Sequence, residues 1–551
     1  MKKDYILKQK NNIKFWLTLL FGFTAFLYAG SLSGEFIWDD RTYFLDNDLL
    51  TKVKPYDIKS IFFDYLNYWG TKYPAVDFFF VLEYNLFGKN PLGYRIVSLF
   101  LYFTISILLY FALSKFYADF SHSNHKSTDK VKKNEISALM IVSLFMLHPI
   151  HVETAAYISA QGDLLYAFFS LLAVISFYSI YKEKSYTKYK DIIIAILFYY
   201  ASFLSKATAI TNIIFIPIFL FLFLRKKKES FVKEALFWVL INIPVFIWII
   251  YKIKISSTYG NIGPLKISYF DSLLRGVRIF GFDSLLLLKP NPLNFGYPFQ
   301  EKFSFDLFFI TGFLVTISSA FFLMFKPRTL LSFAFLIYII YLSPYLQIIM
   351  ETQNALIYDR YLFIPALGFC ILVERAISFL IAKHEDRRAL VLSFFASYLL
   401  FLSLITYFYI PKFKSDKASL GHAYETFPGW KRAAFDYVYC LIEINELEKA
   451  KNLTETETTF NTPPWVRDYF RGWRLIKEKK TDEAIIHLSK ASFIGNRMGY
   501  YPFADVRLAE AYILRKENSK AEFYLKNVVN YKYKNPLEYY FAKKMLEEIK
   551  K

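Results

Sequence analysis

Cysteine is almost absent from this sequence: its 551 residues include two, Cys370 in an apolar run and Cys440 in a charged C-terminal region. Two cysteines placed in this way support neither a disulfide framework nor a cysteine-based metal cluster. A cleavable leader is not predicted either, because the first apolar run lacks a small-residue cleavage site and leads directly into an acidic stretch. We therefore expect that run to be retained as a membrane span.

Acidic residues are scarce compared with basic ones, 47 against 67, which gives a net charge of +20. A basic excess can indicate nucleic-acid binding. Here, however, the lysines form short clusters between apolar runs, as they do in the cytoplasmic loops of membrane proteins. The sequence therefore predicts no nucleic-acid partner.

Apolar residues are abundant: 55% of the chain is hydrophobic and 21% is aromatic, with a mean hydropathy of +0.27. This composition is too apolar for an ordinary soluble protein. Aromatic rings suit lipid-facing helices and interfacial belts. The composition predicts an all-α, polytopic membrane protein in contact with membrane lipids.

The apolar runs of membrane length predict about 11 transmembrane helices. They comprise residues 15–31, 96–113, 136–147, 164–180, 192–204, 213–224, 235–251, 307–325, 330–346, 361–382 and 389–410. We interpret residues 269–288, which are apolar but carry four charges, as an interfacial or re-entrant helix. This interpretation keeps every basic loop in the cytoplasm, with the N-terminus inside and the C-terminal region outside.

Two domains are predicted. Residues 1–410 form the transmembrane domain, whose extracytoplasmic first loop (33–95) has about 60 residues, too many for a simple connection. Within that loop, residues 72–88 are typical of an amphipathic helix at the membrane interface, and a turn follows. The lack of a eukaryotic targeting signal favours a bacterial inner membrane, although an endoplasmic reticulum membrane fits the same topology.

Residues 411–551 have no apolar run of membrane length and contain a repeat. Ala450, Ala484 and Ala521 each lie early in an amphipathic helix and are 34 and 37 residues apart. This spacing suits helix–turn–helix repeats of the tetratricopeptide (TPR) type. The sequence therefore predicts an extracytoplasmic, TPR-like α-solenoid that docks an acceptor or a partner.

Candidate catalytic residues follow the first span, in GEFIWDDRTYFLDND. Asp39 and Asp40 are adjacent at the predicted helix exit, and Asp46 and Asp48 come next. Two close carboxylates raise the pKa of one of them, which is useful in a general base. The alternative is an ordinary polar helix exit, since adjacent side chains on a helix point in different directions.

A second polar block, HPIHVE, places His148, His151 and Glu153 at the outer end of another predicted span. Because the His-Pro step interrupts the helix, a metal-binding face is not assured, and no metal ligand is assigned. Hydrogen bonding to a sugar or a carboxylate is the favoured interpretation, and a divalent metal stays open. Asp163 either lines the same pocket or caps the next helix.

Lys206 and Arg360 are candidate cations for a phosphate group. The alternatives are snorkelling of Lys206 at the interface and pairing of Arg360 with Asp359. By the predicted topology, five polar residues from separate segments share one membrane face: Asp39, His151, Asp163, Lys206 and Arg360. A cleft with acids and bases suits an acceptor hydroxyl beside a phosphate leaving group.

The order of the sequence blocks resembles that of the GT-C glycosyltransferases of the TMTC type, which are multispanning membrane proteins with C-terminal TPRs, viewed as protein O-mannosyltransferases. The matching blocks are FIWDDRTYFLDND, LEYNLFGKNPLGYRIVSLFLY, LHPIHVETAAYISAQGDLL, LSKATAIT, YDRYLFIPALGFC and the repeat tail. Departures from the family pattern are Arg95, where histidine is frequent, Ala207, where an acid is frequent, and KYPAVDF, which lacks an arginine.

The resemblance implies a GT-C-like domain that uses a polyprenyl- or dolichyl-phosphate sugar donor, mannose-like in its sugar, and inverts the anomeric configuration. Asp39 or Asp40 would be the base, Lys206 and Arg360 would hold the donor phosphate, and the acceptor would be a hydroxyl of a protein or glycan. No other cofactor is implied. The rival interpretations are a transporter or flippase, which predicts inverted repeats, a polymerase of lipid-linked glycans, and a non-enzymatic TPR scaffold.

Overall fold

The computed structural model describes residues 2–45, 50, 52–63, 73–120, 128–183, 189–223, 231–258, 262–263, 268–298, 305–348, 351–352, 357–455, 463–497, 502–530 and 536–550. These residues are almost entirely helical, which confirms the all-α prediction. Extended pairing within them is limited to a two-residue antiparallel ladder and one isolated bridge.

Fifteen helices precede residue 411 in the described part of the chain. They are α1 (Lys2–Ala29), α2 (Ile58–Phe63), α3 (Pro74–Phe87), α4 (Pro91–Phe120), α5 (Thr128–Leu147), α6 (Val152–Ala156), α7 (Gln161–Glu183), α8 (Tyr189–Ser205), α9 (Thr211–Phe223), α10 (Phe231–Thr258), α11 (Tyr269–Leu288), α12 (Leu307–Phe325), α13 (Leu330–Leu342), α14 (Pro365–Lys383) and α15 (Arg388–Tyr409). Each of the 11 predicted spans overlaps one of them.

Seven helical segments in the described residues are long and apolar enough to cross a membrane. They are Ile13–Ser33, Pro91–Tyr117, Ile158–Lys182, Val232–Ile250, Leu307–Phe325, Pro365–Lys383 and Glu385–Phe413. An eighth span results if the pair Lys133–Leu147 and Pro149–Ala156 is counted as one, and two further apolar helices are shorter. The chain is thus a multi-pass membrane protein, but the count of about 11 is not confirmed.

The bend of 56° within the helix pair follows from its sequence. Pro149 has no backbone N–H to donate, and its ring disfavours helical geometry at the residue before it. His148 accordingly has an extended backbone, with ψ of 124°, and a short 3₁₀ turn and α6 follow. The polar block HPIHVE is therefore carried on a broken helix.

Tight helix crossings hold the bundle together. At the contact of α11 with α12, a Cβ atom on Gly281 would lie 1.7 Å from the Phe308 carbonyl oxygen, and one on Gly312 would lie 1.9 Å from that of Val277. Only glycine permits such an approach of two backbones, as small residues do between membrane helices generally. Residues 269–288 form a helix, as predicted. This helix packs closely against α12, which is long enough to cross a membrane.

The first loop contains α3 and a turn, near the predicted positions. Residue 72, where the amphipathic helix was predicted to begin, lies outside the described residues, and Gly88, with φ of +59°, follows the last residue of α3. Helix α3 is partly buried in the protein core: Val76, Phe80 and Val81 are buried, whereas Leu86 is 66% exposed. Phe80 packs edge-on against Phe44, with ring centroids 4.8 Å apart.

The C-terminal region consists of consecutive helices within the described residues. They are α16 (Asp416–Thr426), α17 (Lys431–Glu443), α18 (Leu447–Glu455), α19 (Pro464–Lys477), α20 (Thr481–Arg497), α21 (Pro502–Leu514), α22 (Asn518–Asn530) and α23 (Pro536–Ile549). Each helix contacts the next, so they form an α-helical solenoid. The repeat alanines Ala450, Ala484 and Ala521 are buried, as expected for closely paired helices.

Candidate active site

A cavity of about 160 Å³ lies among α3, α7, α8 and the loops next to them. It collects side chains that are far apart in the sequence. Its lining residues are Asp39, Tyr43, Tyr73, Val76, Phe80, Tyr157, Ser159, Gly162, Asp163, Ser205, Lys206 and Arg360. Four of the residues singled out in the sequence, Asp39, Asp163, Lys206 and Arg360, therefore meet in one place.

The two adjacent acids face different surroundings. Trp38, with φ of +46°, turns the backbone just before them. Asp39 is partly exposed and lines the cavity. Asp40 is fully buried, and its carboxylate accepts hydrogen bonds from the backbone N–H of Ile37 (3.1 Å) and from the N–H (2.7 Å) and hydroxyl of Ser159.

These surroundings shift the pKa of both acids upwards. Burial raises the pKa of Asp39, while the positive charge of Arg360 and a hydrogen bond with Tyr157 act in the opposite direction. Burial raises the pKa of Asp40 to about 7, against the hydrogen bonds from Ser159 and Ile37. Loss of water around a carboxylate disfavours its charged form, which is the dominant cause in both cases.

Arg95 fixes the segment that carries these acids. Its guanidinium is buried and donates to the carbonyl oxygens of Glu35 (2.5 Å), Ala156 (2.6 Å) and Phe413 (3.1 Å). These carbonyls belong to the first loop, to the last residue of α6 in the second half of the bent helix pair, and to the start of the C-terminal region. Gly34 leaves room for the guanidinium, since a Cβ there would lie 2.5 Å from Cζ.

Both cations of the cavity form ion pairs. Lys206 pairs with Asp163, and Arg360 pairs with Glu153, whose carboxylate also accepts the backbone N–H of Arg360 at 2.8 Å. The side chains of Lys206 and Arg360 nevertheless remain 18% and 17% exposed. An ammonium offers three N–H donors and a guanidinium five, so both keep donors for a further anion.

Aromatic rings surround the two cations. The Arg360 guanidinium lies 4.0 Å from the ring centroid of Tyr358, and Lys206 Nζ lies 5.8 Å and 5.7 Å from the rings of Tyr345 and Tyr361. Such contacts are favourable for a cation and restrict its side-chain conformations. The positive charges are therefore held in position before any ligand arrives.

The two histidines lie behind the cavity rather than in its lining. Both are fully buried. His148 Nδ1 accepts the N–H of Ile150 (3.2 Å) and its Nε2 lies 2.8 Å from the Leu287 carbonyl oxygen, whereas His151 packs against Phe145 at a centroid distance of 4.2 Å. Their positions suit a packing role for the broken helix more directly than contact with a ligand.

Asp359 is also internal. It is fully buried and accepts hydrogen bonds from the hydroxyls of Tyr297 (2.5 Å) and Tyr409 (3.0 Å). Arg360 does not pair with it, so this alternative from the sequence is not what the structure contains. The remaining acids of the first loop, Asp46 and Asp48, lie outside the described residues.

The cavity residues that were not singled out in the sequence include Tyr157 and Ser159. The signal was nevertheless present, because both belong to the block LHPIHVETAAYISAQGDLL. Tyr157 contacts Asp39 by accepting its backbone N–H at 3.2 Å. Across the described part of the chain, no group of three or more His, Cys, Asp or Glu side chains is arranged to hold a metal ion.

The fold and the cavity together define a class: a multi-pass, helical membrane protein with an internal site that contains two carboxylates and two cations. Known proteins similar to this chain include protein O-mannosyl-transferase TMTC4 of Mus musculus, 28% identical over 181 residues that cover 31% of this chain and 24% of the relative. TMTC4 of Homo sapiens is 25% identical over 197 residues, covering 33% of this chain and 25% of the relative.

A third relative, protein O-mannosyl-transferase F38B6.6 of Caenorhabditis elegans, is 26% identical over 169 residues, which cover 29% of this chain and 22% of the relative. The similarity to TMTC-type proteins is therefore confirmed, over about a third of this chain and about a quarter of the relatives. No family model matches the chain, and no solved structure matches it.

Proposed function

We propose that this chain is a membrane glycosyltransferase of the GT-C type. It transfers a sugar from a polyprenyl- or dolichyl-phosphate donor to a hydroxyl of a protein or glycan, with a protein acceptor and a mannose-like sugar favoured by the names of its relatives. The observation that carries this proposal is the single cavity lined by Asp39, Lys206 and Arg360. A general base and a phosphate-binding pair are the two elements such a transfer requires.

Asp39 is the proposed base because it lines the cavity, whereas Asp40 is buried beneath it and Asp163 is held by Lys206. Asp39 takes the proton of the acceptor hydroxyl while the hydroxyl oxygen attacks the anomeric carbon. The new C–O bond forms as the bond to the phosphate oxygen breaks, and the electron pair leaves with the polyprenyl phosphate. A single displacement of this kind inverts the anomeric configuration.

Lys206 and Arg360 are the proposed phosphate ligands. Their unused donors stabilise the negative charge that grows on the leaving group, a contribution that is large where water is scarce. Asp163 and Glu153 hold the cations in place and limit the charge of the empty cavity. Arg360→Ala and Lys206→Ala should therefore weaken donor binding, and unchanged donor affinity would contradict these roles.

The test of the proposed function uses the purified chain in lipid nanodiscs, labelled polyprenyl-phosphate hexoses and a pool of protein acceptors. We expect one donor to be consumed, with the label transferred to hydroxyl groups in the inverted configuration. Absence of donor consumption would contradict the proposal. Movement of intact donor across a vesicle bilayer would instead support the transporter interpretation.

We also propose that the cavity and the C-terminal region lie on the extracytoplasmic face of a bacterial inner membrane, with the N-terminus in the cytoplasm. The asymmetric distribution of basic clusters supports this orientation. Protease added to sealed right-side-out vesicles should digest the C-terminal region. Digestion only in inverted vesicles would reverse the assignment.

A further inference from the structure

Ser159 is held in place by the buried acid Asp40. It lies in a 3₁₀ turn, Ile158–Ala160, directly before α7. Its backbone N–H and its hydroxyl both donate to one Asp40 oxygen, at 2.7 Å and 2.5 Å. The other Asp40 oxygen accepts the N–H of Ile37 at 3.1 Å. Two hydrogen bonds to a single carboxylate oxygen fix the position of the Ser159 side chain before a ligand arrives.

The hydroxyl of Ser159 can therefore offer a ligand only one kind of hydrogen bond. A hydroxyl has a single proton to donate and two lone pairs that accept. Because an ionised carboxylate only accepts, the Ser159 proton is committed to Asp40 and the lone pairs remain. Ser159 lines the cavity, so it presents a hydrogen-bond acceptor there. The negative charge of Asp40 behind it polarises the hydroxyl and strengthens this acceptor.

The size of the cavity limits what can lie against Ser159. Its volume is about 160 Å³, whereas sites for drug-sized ligands have about 300–1,000 Å³. Under the proposed function, Lys206 and Arg360 bind the donor phosphate and Asp39 faces the acceptor hydroxyl. The sugar ring then lies between these groups and fills the remaining space, so that its hydroxyl groups come within reach of the lining side chains.

Part of the lining is apolar and offers no partner to a sugar hydroxyl. Val76 and Phe80 are buried, and Phe80 packs against Tyr43 with ring centroids 5.6 Å apart. A hydroxyl group pressed against these side chains would lose its hydrogen bonds with water at a cost in free energy, whereas the C–H groups of a sugar ring suit them. The hydroxyl groups of the sugar are therefore favoured beside polar side chains such as Ser159.

We propose that Ser159 determines the donor specificity of the site, because its oxygen accepts a hydrogen bond from one hydroxyl of the donor sugar. This proposal rests on the proposed function and defines its sugar as a hexose in which that hydroxyl is free. A donor that lacks the hydroxyl leaves the Ser159 oxygen without a hydrogen bond where water is scarce. Sites built to bind a substrate hydroxyl reject analogues without it for this reason.

The first test needs no variant. The full chain in nanodiscs is given the labelled polyprenyl-phosphate hexose that it consumes, and the monodeoxy forms of this donor, one for each hydroxyl of the sugar. The assay runs at about pH 8, above the pKa of about 7 that burial gives Asp40, so that Asp40 is ionised. We expect kcat/KM to fall about 30-fold for at least one monodeoxy donor, equivalent to about 2 kcal/mol.

The variant Ser159→Ala identifies the hydroxyl that Ser159 binds. It keeps the backbone hydrogen bond to Asp40. We expect its kcat/KM to be about 30-fold below that of the wild type with the parent donor and with all monodeoxy donors but one. With the donor that lacks the bound hydroxyl, the substitution should have no effect, since both partners of the hydrogen bond are then absent. Ser159→Cys, whose thiol is a weak partner, should show the same selective loss.

The matched control is Ser106→Ala, which removes a buried serine hydroxyl outside the cavity lining. Ser106 is fully buried and donates to the Tyr102 carbonyl oxygen of its own helix at 2.9 Å. This control should keep the kcat/KM values of the wild type for every donor. Melting temperatures of all three variants, measured in parallel, separate a loss of stability from a loss of sugar recognition.

A wild type that consumes every monodeoxy donor as efficiently as the parent would overturn the proposal. So would an equal loss for all donors in Ser159→Ala and Ser159→Cys, which is the result expected if Ser159 only supports Asp40 or contacts the acceptor. A wild type that consumes no hexose donor at all refutes the proposed function itself, which distinguishes the two failures.

Discussion

At the scale of single residues, one backbone turn at Trp38 places the neighbouring Asp39 and Asp40 in different environments. Asp39 meets the cavity and is within reach of a hydroxyl-bearing ligand, whereas Asp40 accepts three hydrogen bonds beneath it. The sequence predicted the pair as catalytic acids without separating them. The difference depends on the turn at Trp38 and on Ser159, more than a hundred residues away, which no local pattern encodes.

The pH dependence of transfer tests the role of Asp39. A base must be ionised, so the rate should fall as the pH is lowered through a pKa that burial holds above the usual value for aspartate. Tyr157→Phe removes a hydrogen bond that lowers this pKa, and the acidic limb should move to higher pH. A kcat/KM profile that is identical in the two proteins would contradict the assignment.

Asp40 should instead affect stability. Because its folded pKa of about 7 lies above the usual pKa of an aspartate, its neutral form is favoured in the folded state. The corresponding stability is present below about pH 4 and is lost as the pH rises through 7, with an upper bound of about 4 kcal/mol. The stability difference between wild type and Asp40→Asn should therefore shrink from pH 4 to pH 7, as measured by thermal unfolding in nanodiscs; a constant difference would contradict this.

At the scale of elements, hydropathy located the helices but not their contacts. Every predicted span overlaps a helix, because a long apolar run has few other ways to satisfy its backbone in lipid. Some of these helices are too short to cross a membrane, so the number of membrane-length helices is lower than the predicted 11. Helix α3, predicted at the interface, buries Val76, Phe80 and Val81 in the protein core, and an amphipathic pattern alone does not distinguish contact with lipid from contact with protein.

Arg95 illustrates what the sequence could not provide. It was noted as a departure from the family pattern, yet its guanidinium joins the first loop, the end of the broken helix and the C-terminal region. A fork of five donors can serve three carbonyls at once, and this requires three chain segments to converge. That convergence is a property of the tertiary fold.

The Arg95 guanidinium and its three carbonyl acceptors form a clamp, and removing this clamp should loosen the first loop. Arg95→Ala leaves three carbonyl oxygens without their donor, and the two buried ones, of Ala156 and Phe413, each cost about 1–3 kcal/mol. Gly34→Ala should act in the same direction, because its Cβ would occupy the place of the guanidinium. We expect lower melting temperatures and faster proteolysis of the first loop in both variants.

The matched control is Gly30→Ala, whose Cβ would meet its nearest side chain at an ordinary 3.9 Å. It should keep the melting temperature of the wild type. If Arg95→Ala and Gly34→Ala melted at the same temperature as this control, the clamp would have no structural importance.

At the scale of the whole molecule, topology predicted that Asp39, His151, Asp163, Lys206 and Arg360 share one membrane face, and all of them except His151 line the cavity. Hydropathy located the spans, and the positions of the basic clusters gave their predicted directions. The ion-pair partners on that face were not predictable. Arg360 pairs with Glu153 rather than with its neighbour Asp359, and the two histidines do not line the cavity. Side-chain pairing depends on distances of a few ångströms, which span directions do not determine.

Residues on the two sides of the predicted domain boundary at residue 410 contact each other. Asp416 accepts the backbone N–H of Trp38 at 2.6 Å and lies 3.5 Å from Arg41, so α16 supports the segment that carries Asp39. Deletion of residues 412–551 should abolish transfer to every acceptor. Deletion of residues 429–551, which retains α16, should impair transfer to a protein more than transfer to a small acceptor; equal losses for the two acceptors would contradict this division.

We propose above that this chain is a glycosyltransferase whose general base is Asp39. The most direct measurement compares wild type and Asp39→Asn for transfer of labelled mannose from a polyprenyl-phosphate donor, with donor binding and thermal unfolding followed in parallel. We expect a loss of about 10²–10⁴ in transfer rate, with donor affinity and stability retained. Near-normal transfer by a folded Asp39→Asn protein would contradict it.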